Sequence, residues 1–291
     1  MVERRWTHRL RRGGTAAGST AGPPAGHADG GCSGCAHAGP ARPERPIRLT
    51  RLGLAIPPNA RTLALAGNPN AGKSTLFNAL TGMRQRVGNW AGTTVGRTEG
   101  GFGYGGNVFR LVDLPGAYSL RAEGREEEVT RDFLLFGAPE LTVVVVDATR
   151  LERHLGLALE VREIAGRMVL AVNLMDEAAR AGIDLDARRL ARSLGCPVVP
   201  MQARDHVGVD QLLTAIDDSL ARPAAPAAAH RPPALAAAVS ELATELRARH
   251  PGLPHPEWIA HRLLDGDESM LAALDAGDLA ASTANPTRRS A

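Results

Sequence analysis

The sequence is poor in aromatic residues and has no long apolar run. Phe, Trp and Tyr together make up 3% of its 291 residues, so we expect a core of aliphatic side chains. The most apolar stretch, residues 141–146, is far shorter than the ~20 residues of a membrane-spanning helix. The arginine-rich N-terminus is not followed by the apolar segment of a secretory signal. These absences predict a soluble, cytoplasmic protein.

Cysteine is also scarce, and the three cysteines do not form a disulfide framework. Cys196 lies beside a predicted strand, where we expect a small buried apolar residue. The other two belong to a spacing that is compatible with Zn²⁺ or Fe²⁺ binding, formed by His27, Cys32, Cys35 and His37. An unstructured tail without metal is the alternative, because the surrounding sequence is rich in Gly, Ala, Pro and Arg.

Lysine is almost absent from the chain. The formal net charge of +3 depends on arginine, which is concentrated towards the two ends. Basic tails are usually solvated, so we expect no nucleic-acid partner. The only lysine, Lys73, lies in the segment Gly67-x4-Gly72-Lys73-Ser74, which fits the phosphate-binding loop of P-loop proteins. A composition that avoids lysine but places one here favours a functional role for Lys73.

The context of this loop also fits, because a predicted strand at residues 61–66 precedes it and a helical pattern follows it. Backbone N–H groups of such a loop surround phosphates, and the dipole of the following helix favours negative charge. We expect Lys73 to contact the β- and γ-phosphates and the Ser74 hydroxyl to ligate Mg²⁺. The predicted nucleotide-binding residues of the loop are Asn68, Asn70, Ala71, Gly72, Lys73, Ser74 and Thr75.

Buried strands alternate with amphipathic helices through the middle of the chain. Further strands are predicted at residues 108–112, 141–146, 168–172 and 197–200, and helices at 126–136, 154–164, 186–194 and 209–220. Residues 88–96 are predicted to form a glycine-rich loop. This order predicts an α/β protein with a mostly parallel sheet and helices on both faces, the P-loop GTPase fold.

The domain organisation follows from changes in composition. We expect a disordered extension at residues 1–60, a GTPase domain at 61–222, an Ala/Pro-rich linker at 223–233, a partial helical domain at 234–279 and a disordered tail at 280–291. The helical domain is predicted to contain two or three helices.

Polar motifs follow three of the predicted strands. The Asp113 carboxylate can hold Mg²⁺ through water, and the Gly116 N–H can contact a γ-phosphate. Asn173 and Asp176 fit the N-x-x-D element that reads guanine, because a carboxylate accepts hydrogen bonds from N1–H and the exocyclic amine. Each motif alone also fits an ordinary polar turn, but together they favour a site for GTP or GDP. Backbone N–H groups are expected to cap the base at Gln202, Ala203 and Arg204.

Four strings of the sequence occur together in one protein family. They lie at residues 67–74, 84–92, 113–120 and 145–153, and the second, around Trp90, is not general among GTPases. With these strings, residues 67–220 resemble the cytosolic G domain of the bacterial ferrous iron transport protein B. Residues 258–267 resemble part of the small helical spacer that follows this domain in the family.

The resemblance implies further roles in nucleotide hydrolysis. Thr94, in a loop with Gly92 and Thr93, resembles the switch I threonine that meets Mg²⁺ when GTP is bound. Gly96 stands where the family usually has an acidic residue, which is a departure in this part of switch I. Asn70 occupies the position that helps to bind a monovalent cation, expected to be K⁺, in potassium-activated relatives.

The catalytic residues implied by the motifs and the resemblance are Lys73, Thr94 and Gly116. Ala117 stands where Ras-like proteins carry a catalytic glutamine, so other groups, such as the backbone near Trp90, must position the attacking water. Hydrolysis is therefore expected to be slow.

In this family a large membrane domain follows the helical spacer, and this sequence does not contain one. The resemblance therefore implies a GTP-hydrolysing regulator of ferrous iron uptake, acting at the cytoplasmic face of the inner membrane. Its expected partner is a membrane iron permease domain that acts in trans or is missing. A truncated transporter, part of a split system and a soluble paralogue remain open, and a homo-oligomer is compatible with the sequence.

Two other functions are compatible with the motifs. A ribosome- or RNA-associated GTPase would carry an appended basic RNA-binding fold, whereas residues 234–279 are mixed in charge and lack interleaved aromatic residues. A nucleotide-binding module without turnover would share the binding motifs and differ in releasing no phosphate.

Overall fold

The computed structural model describes Pro46, Arg48 and residues 55–82, 86–90, 93–224 and 231–275, with the backbone alone at Arg86, Val87 and Asp275. The candidate metal ligands between residues 27 and 37 lie outside the described residues, as do Gly92 and the predicted C-terminal tail. Most of the predicted N-terminal extension lies outside them as well.

A seven-stranded sheet forms the centre of the described structure, in the order β2-β3-β4-β1-β5-β6-β7. Strands β1 and β4 to β7 are parallel, whereas β3 runs antiparallel to both β2 and β4. The predicted α/β fold with a mostly parallel sheet is confirmed. The strands are β1 (Arg61–Gly67), β2 (Arg86–Asn89), β3 (Gly96–Tyr104), β4 (Asn107–Asp113), β5 (Leu141–Asp147), β6 (Met168–Asn173) and β7 (Val198–Pro200).

Strand β1 is buried on both faces because helices cover the sheet on each side. Its side chains alternate between two hydrophobic clusters: Leu63 and Leu65 belong to one, and Ala64 and Ala66 to the other. Both clusters are mainly aliphatic, in agreement with the low aromatic content. The central position of β1 places its carboxyl end, and the phosphate-binding loop that follows, in the middle of the sheet edge.

The prediction of a glycine-rich loop at residues 88–96 is wrong at both ends. Strand β2 includes its first residues, and β3 begins at Gly96. Glycines in β3 hide the apolar alternation that identifies a strand, yet two of them are needed for close packing. A Cβ atom on Gly100 would lie 2.6 Å from the Thr81 side chain, and one on Gly101 would lie 2.7 Å from that of Ile56.

Nine helices are present among the described residues: α1 (Lys73–Thr81), α2 (Arg125–Phe136), α3 (Leu151–Ile164), α4 (Met175–Arg180), α5 (Ala187–Leu194), α6 (Val209–Leu220), α7 (Pro233–Arg249), α8 (Pro256–Leu264) and α9 (Glu268–Asp275). Helix α1 ends at Thr81, with Gly82 as its C-cap. The sequence pattern does not predict α4, because six residues are too few for a helical period to be visible.

Helices α7 to α9 pack on the hydrophobic cluster that also contains Ala64 and Ala66 of β1. Their buried contributions include Ala243, Trp258 and Met270. The Trp258 side chain is 4% exposed, so this contact is part of the same core as the sheet rather than a surface association. None of the helices in the described part of the chain is both long and apolar enough to span a membrane.

Cys196 is buried beside β7, as predicted for a small apolar residue. Burial raises the pKa of its thiol to about 11, because the thiolate would lose its hydration.

We expect Cys196 to resist alkylation in the folded protein. Only the thiolate reacts, and a pKa raised by about two units lowers the thiolate fraction at pH 8 by about a hundredfold. The rate of iodoacetamide labelling should therefore be at least that much lower in native than in urea-unfolded protein, measured by mass spectrometry in a Cys32→Ser, Cys35→Ser background. Equal rates in the two states would contradict the buried position.

Candidate functional site

The loop between β1 and α1 has the geometry of a phosphate cradle. Gly67 and Gly72 both have positive φ angles, 150° and 93°, and Gly72 caps the N-terminus of α1. A Cβ atom on Gly67 would lie 2.3 Å from the Val145 carbonyl oxygen, and one on Gly72 would lie 2.1 Å from Asn173 Nδ2. Only glycine fits at either position, so the loop is held tightly against β5 and β6.

Lys73 and Asp113 are brought together at the carboxyl edge of the sheet. Burial lowers the pKa of Lys73, and the negative charges of Asp113 and Glu126 oppose this shift. Burial also raises the pKa of Asp113 to about 6, against the opposing effect of Lys73. Since desolvation dominates both shifts, this pair does not fully compensate for the burial of its own charges. The site is therefore electrostatically suited to an additional anion and cation.

The residues present fit a magnesium ion. Asp113 Oδ1 is buried and makes no hydrogen bond with any described group, whereas Ser74, at the start of α1, is exposed. A carboxylate oxygen and a hydroxyl are ligand types that Mg²⁺ prefers when phosphate oxygens and water complete its shell. In the described part of the chain, no group of three or more His, Cys, Asp or Glu residues forms an all-protein metal site.

Asn173 joins the phosphate-binding loop to the predicted base-binding loop. Its Nδ2 donates a hydrogen bond to the Ala71 carbonyl oxygen over 3.0 Å, and its Oδ1 accepts one from the Ala203 N–H over 2.9 Å. The Asn173 side chain is buried, with 3% exposure, so both bonds are protected from water. One carboxamide thus fixes the distance between the two loops.

Asp176 lies in the first turn of α4, beside this junction. Its carboxylate forms an ion pair with Arg180, one helical turn later in the exposed part of α4. Leu174, which precedes α4, has a φ of 61° in the left-handed region, and this turn directs the chain from β6 into the short helix. Asp176 is half-buried. Its neighbour Met175 donates a backbone hydrogen bond to the Met201 carbonyl, which brings this turn close to the loop that contains Ala203.

The predicted base-capping loop is a narrow turn. Gln202 forms an isolated antiparallel bridge with Val207, and the residues between them make a short 3-10 turn. Ala203 is buried, whereas the Arg204 side chain is exposed. The turn is thus anchored at its amino end by Asn173, and its backbone faces the same edge of the sheet as the phosphate cradle.

Trp90 is the central side chain of the segment that resembles switch I. Its ring packs edge-on against Phe133 of α2, with 5.3 Å between centroids, and the Arg97 guanidinium lies 4.8 Å above it. Thr93 closes a turn by donating hydrogen bonds from N–H and Oγ1 to the Trp90 carbonyl. Thr94 follows in an exposed bend. The sequence indicates that Trp90 is specific to the family, but it gives no sign of its partners.

The Asp113–Gly116 segment leads into a turn that lies on the phosphate-binding loop. A Cβ atom on Gly116 would lie 3.0 to 3.2 Å from atoms of Pro69, and the Ala117 N–H donates to the Gly67 carbonyl over 3.3 Å. No described group accepts a hydrogen bond from the Gly116 N–H. This backbone donor is therefore available to a ligand.

Side chains of α2 and α3 hold the rest of this turn, residues 115–123, which we call the switch II turn. Glu127 accepts hydrogen bonds from the N–H groups of Tyr118 and Glu123, and Glu160 accepts from Leu120. Sequence reasoning missed both carboxylates. A weak signal was present in the three consecutive acidic residues, 126–128, at the N-terminus of α2, where the helix dipole favours negative charge.

Helix α2 also contacts the C-terminal helices. The Arg131 guanidinium, which is buried, donates a hydrogen bond to Ser269 Oγ over 2.7 Å. Arg121, in the switch II turn, lies 3.7 Å from the Asp265 carboxylate at the end of α8. The switch II turn and the C-terminal helices are therefore directly connected.

The chain was compared with known families and curated proteins. A sequence model described as "Ferrous iron transport protein B" matches residues 61–216. The Fe(2+) transporter FeoB of Salmonella typhimurium is 39% identical over 210 residues, and that of Escherichia coli K12 is 40% identical over the same length. Each alignment covers 71% of this chain but 27% of the relative, so the chain spans about a quarter of these proteins.

Solved structures agree with the sequence matches. The cytosolic domain of L. pneumophila FeoB is 32% identical to this chain, with a TM-score of 0.68. The match covers 78% of this chain and 90% of the L. pneumophila chain. The cytosolic domain of T. maritima FeoB in a GDP form is 34% identical with a TM-score of 0.69, covering 77% and 86%. The second structure was reported with GDP, which is a property of that protein. The chain therefore belongs to the ferrous iron transport protein B family and has the P-loop GTPase fold of its cytosolic domain.

Proposed function

We propose that this chain binds and slowly hydrolyses GTP, and that its nucleotide state regulates ferrous iron uptake. The observation that carries the proposal is the position of Asn173, whose carboxamide bonds to both the phosphate-binding loop and the base-capping loop. This connection makes one continuous site from the phosphate cradle to Asp176. A nucleotide with guanine at one end and phosphates at the other has the matching chemistry.

Relatives support the choice of guanine. The cytosolic domain of T. maritima FeoB has been solved in GDP and GMPPNP forms, and a variant of S. thermophilus NFeoB has been solved with GDP. In this chain the Asp176 carboxylate is the group that would accept hydrogen bonds from guanine N1–H and the exocyclic amine. Guanine would have to displace Arg180 from that carboxylate, or share it.

Groups of the chain itself supply the contacts to the phosphates. The backbone N–H group of Gly72 and the dipole of α1 receive the phosphates, and the Lys73 ammonium neutralises charge between the β- and γ-phosphates. The Gly116 N–H, which has no partner among described groups, contacts the γ-phosphate. Ser74, Asp113 through water and Thr94 would hold Mg²⁺, which supplies charge neutralisation at the phosphate oxygens when bound.

Asn70 is proposed to hold a potassium ion beside the phosphates. It is exposed on the loop, and its φ of 63° lies in the left-handed region. A carboxamide oxygen suits a monovalent cation, which would stabilise the charge that develops between the phosphates. This assistance matters because Ala117 supplies no side chain to orient water.

The site supports turnover rather than binding alone, because both Lys73 and the free Gly116 N–H stabilise charge at the transferred phosphoryl group. The RNA-associated alternative receives no support from the family to which the chain belongs. The iron-related partner is proposed to be a membrane permease domain of the kind present in the full-length relatives, with this chain at the cytoplasmic face of the membrane.

Replacement of Lys73 by alanine should abolish hydrolysis. Loss of the half-buried ammonium removes charge stabilisation at the β- and γ-phosphates, for which we expect a decrease in kcat of at least about a hundredfold. Phosphate release would be measured in KCl with saturating GTP and Mg²⁺. If the wild-type protein releases no more phosphate than Lys73→Ala, the assignment as an enzyme is wrong. The Arg188→Ala variant, at an exposed position of α5, serves as a control for the loss of a cationic residue.

Potassium should accelerate hydrolysis through Asn70. We expect wild-type kcat to be about tenfold higher in KCl than in NaCl of equal ionic strength, and the Asn70→Ala variant to lose most of this difference. Because the substitution removes an exposed side chain, the melting temperature should stay within about 2 °C of wild type. Equal stimulation in both proteins would remove Asn70 from the cation site.

Specificity for guanine should depend on Asp176. Hypoxanthine keeps N1–H but lacks the exocyclic amine, so wild-type protein should bind GDP about tenfold more tightly than IDP. In Asp176→Ala this ratio should approach one, since neither donor has a partner. Fluorescent-nucleotide displacement gives both dissociation constants. A ratio that survives in Asp176→Ala would show that another group reads the base, and Asp184→Ala, at an exposed position outside the site, provides a matched control.

A further inference from the structure

Asn68 is an anomaly in the phosphate-binding loop. Its side chain is fully buried, with 0% exposure, yet neither Nδ2 nor Oδ1 has a hydrogen-bond partner among the described groups. Buried carboxamides are almost always satisfied, because an unmade hydrogen bond in the interior lowers the stability of the fold. An apolar residue of the same size would avoid this cost. The amide therefore needs an explanation beyond packing.

The surroundings of Asn68 identify the segment that can reach it. Its two chain neighbours both touch the switch II turn: the Gly67 carbonyl accepts from the Ala117 N–H, and Pro69 lies against Gly116. By the alternation of side chains along a strand, the Asn68 side chain is expected on the face of Ala64 and Ala66. Those two side chains belong to the cluster that contains Ala117. We therefore infer that the buried carboxamide lies on the side of the loop that faces the start of the switch II turn.

The switch II turn has hydrogen-bonding groups left over at this point. The carbonyl oxygens of Gly116 and Ala117 accept no hydrogen bond from any described group, although Ala117 is fully buried. The bond from the Ala117 N–H to the Gly67 carbonyl is long, at 3.3 Å. Asn68 therefore has unpaired donors, and the turn has unpaired acceptors, in two segments that contact each other at Gly67 and Pro69.

We propose that Asn68 is a positioning residue for hydrolysis, to which the switch II turn docks when a γ-phosphate is bound. A small movement of the turn brings the Gly116 N–H to the phosphate, and Asn68 Nδ2 then donates to the carbonyl oxygen of Gly116 or Ala117. The hydrogen bond that is missing in the present arrangement is made in the triphosphate state. This inference rests on the proposed function and assigns the step by which the site distinguishes GTP from GDP.

The Asn68→Leu variant tests the proposal, because leucine fills a similar volume without hydrogen-bonding groups. We expect kcat for GTP at saturating K⁺ and Mg²⁺ to fall about tenfold, the effect of one lost hydrogen bond in the activated state. Affinity for the non-hydrolysable analogue GMPPNP should fall by a similar factor, and GDP affinity by much less. The melting temperature of the nucleotide-free protein should rise by about 2–4 °C, since an unsatisfied amide is removed.

A purely structural asparagine gives the opposite pattern. A lower melting temperature of nucleotide-free Asn68→Leu would mean that the carboxamide is already satisfied in the free protein, and it would overturn the proposal. So would a kcat within twofold of wild type. An Asn68→Ser variant, whose hydroxyl can still donate, should recover part of the lost kcat.

Failure of the proposed function is distinguishable from failure of this inference. If wild-type protein releases no phosphate, kcat cannot be compared between the variants. The ratio of GMPPNP affinity to GDP affinity then tests the inference. A ratio lowered about fivefold or more by Asn68→Leu supports docking of the turn without turnover, and an unchanged ratio overturns it.

Discussion

The two hydrogen bonds of the Asn173 carboxamide determine how the nucleotide site is assembled. They connect three segments that are far apart in the chain: the phosphate-binding loop, the end of β6 and the base-capping turn. Because all three follow parallel strands, the sheet already brings them to one edge. The sheet alone does not fix the spacing between these segments. A buried carboxamide that is hydrogen-bonded at both ends does fix it. The close approach of Gly72 to Asn173 Nδ2 shows how little space this junction leaves.

The site contains buried polar groups that no described group of the chain satisfies. Lys73 and Asp113 have pKa values shifted mainly by burial, and Asp113 Oδ1 and the Asn68 carboxamide are buried without partners among the described groups. Burying such groups without partners costs free energy of folding. Other buried side-chain atoms in the described part of the chain also lack a partner, among them Arg110 Nε and Asp267 Oδ2. What distinguishes Asn68 and Asp113 is their position, where a ligand carrying both negative charge and a metal would bind.

The switch II turn is the mechanical link between this site and the C-terminal helices. It touches the phosphate-binding loop at Pro69, and Arg121 extends from it towards Asp265 at the end of α8. Helix α2, which carries Phe133 against Trp90, also carries Arg131 against Ser269. A displacement of the turn or of α2 would therefore change contacts in both switch I and the C-terminal helices.

The sequence by itself determined the phosphate-binding loop, the strand and helix order and the edge of the sheet that carries the site, because these depend on local patterns. The single lysine, the glycines around it and the apolar runs ending at Asp113 and Asn173 are sufficient for that. Strand β3 was hidden, since its glycines are explained only by Thr81 and Ile56 packed against them. Only the tertiary structure decided that Asn68 is buried without a partner, that Asn173 bonds both loops and that Trp90 lies between Phe133 and Arg97. These features depend on residues that are distant in sequence and meet only when the sheet and its helices are packed.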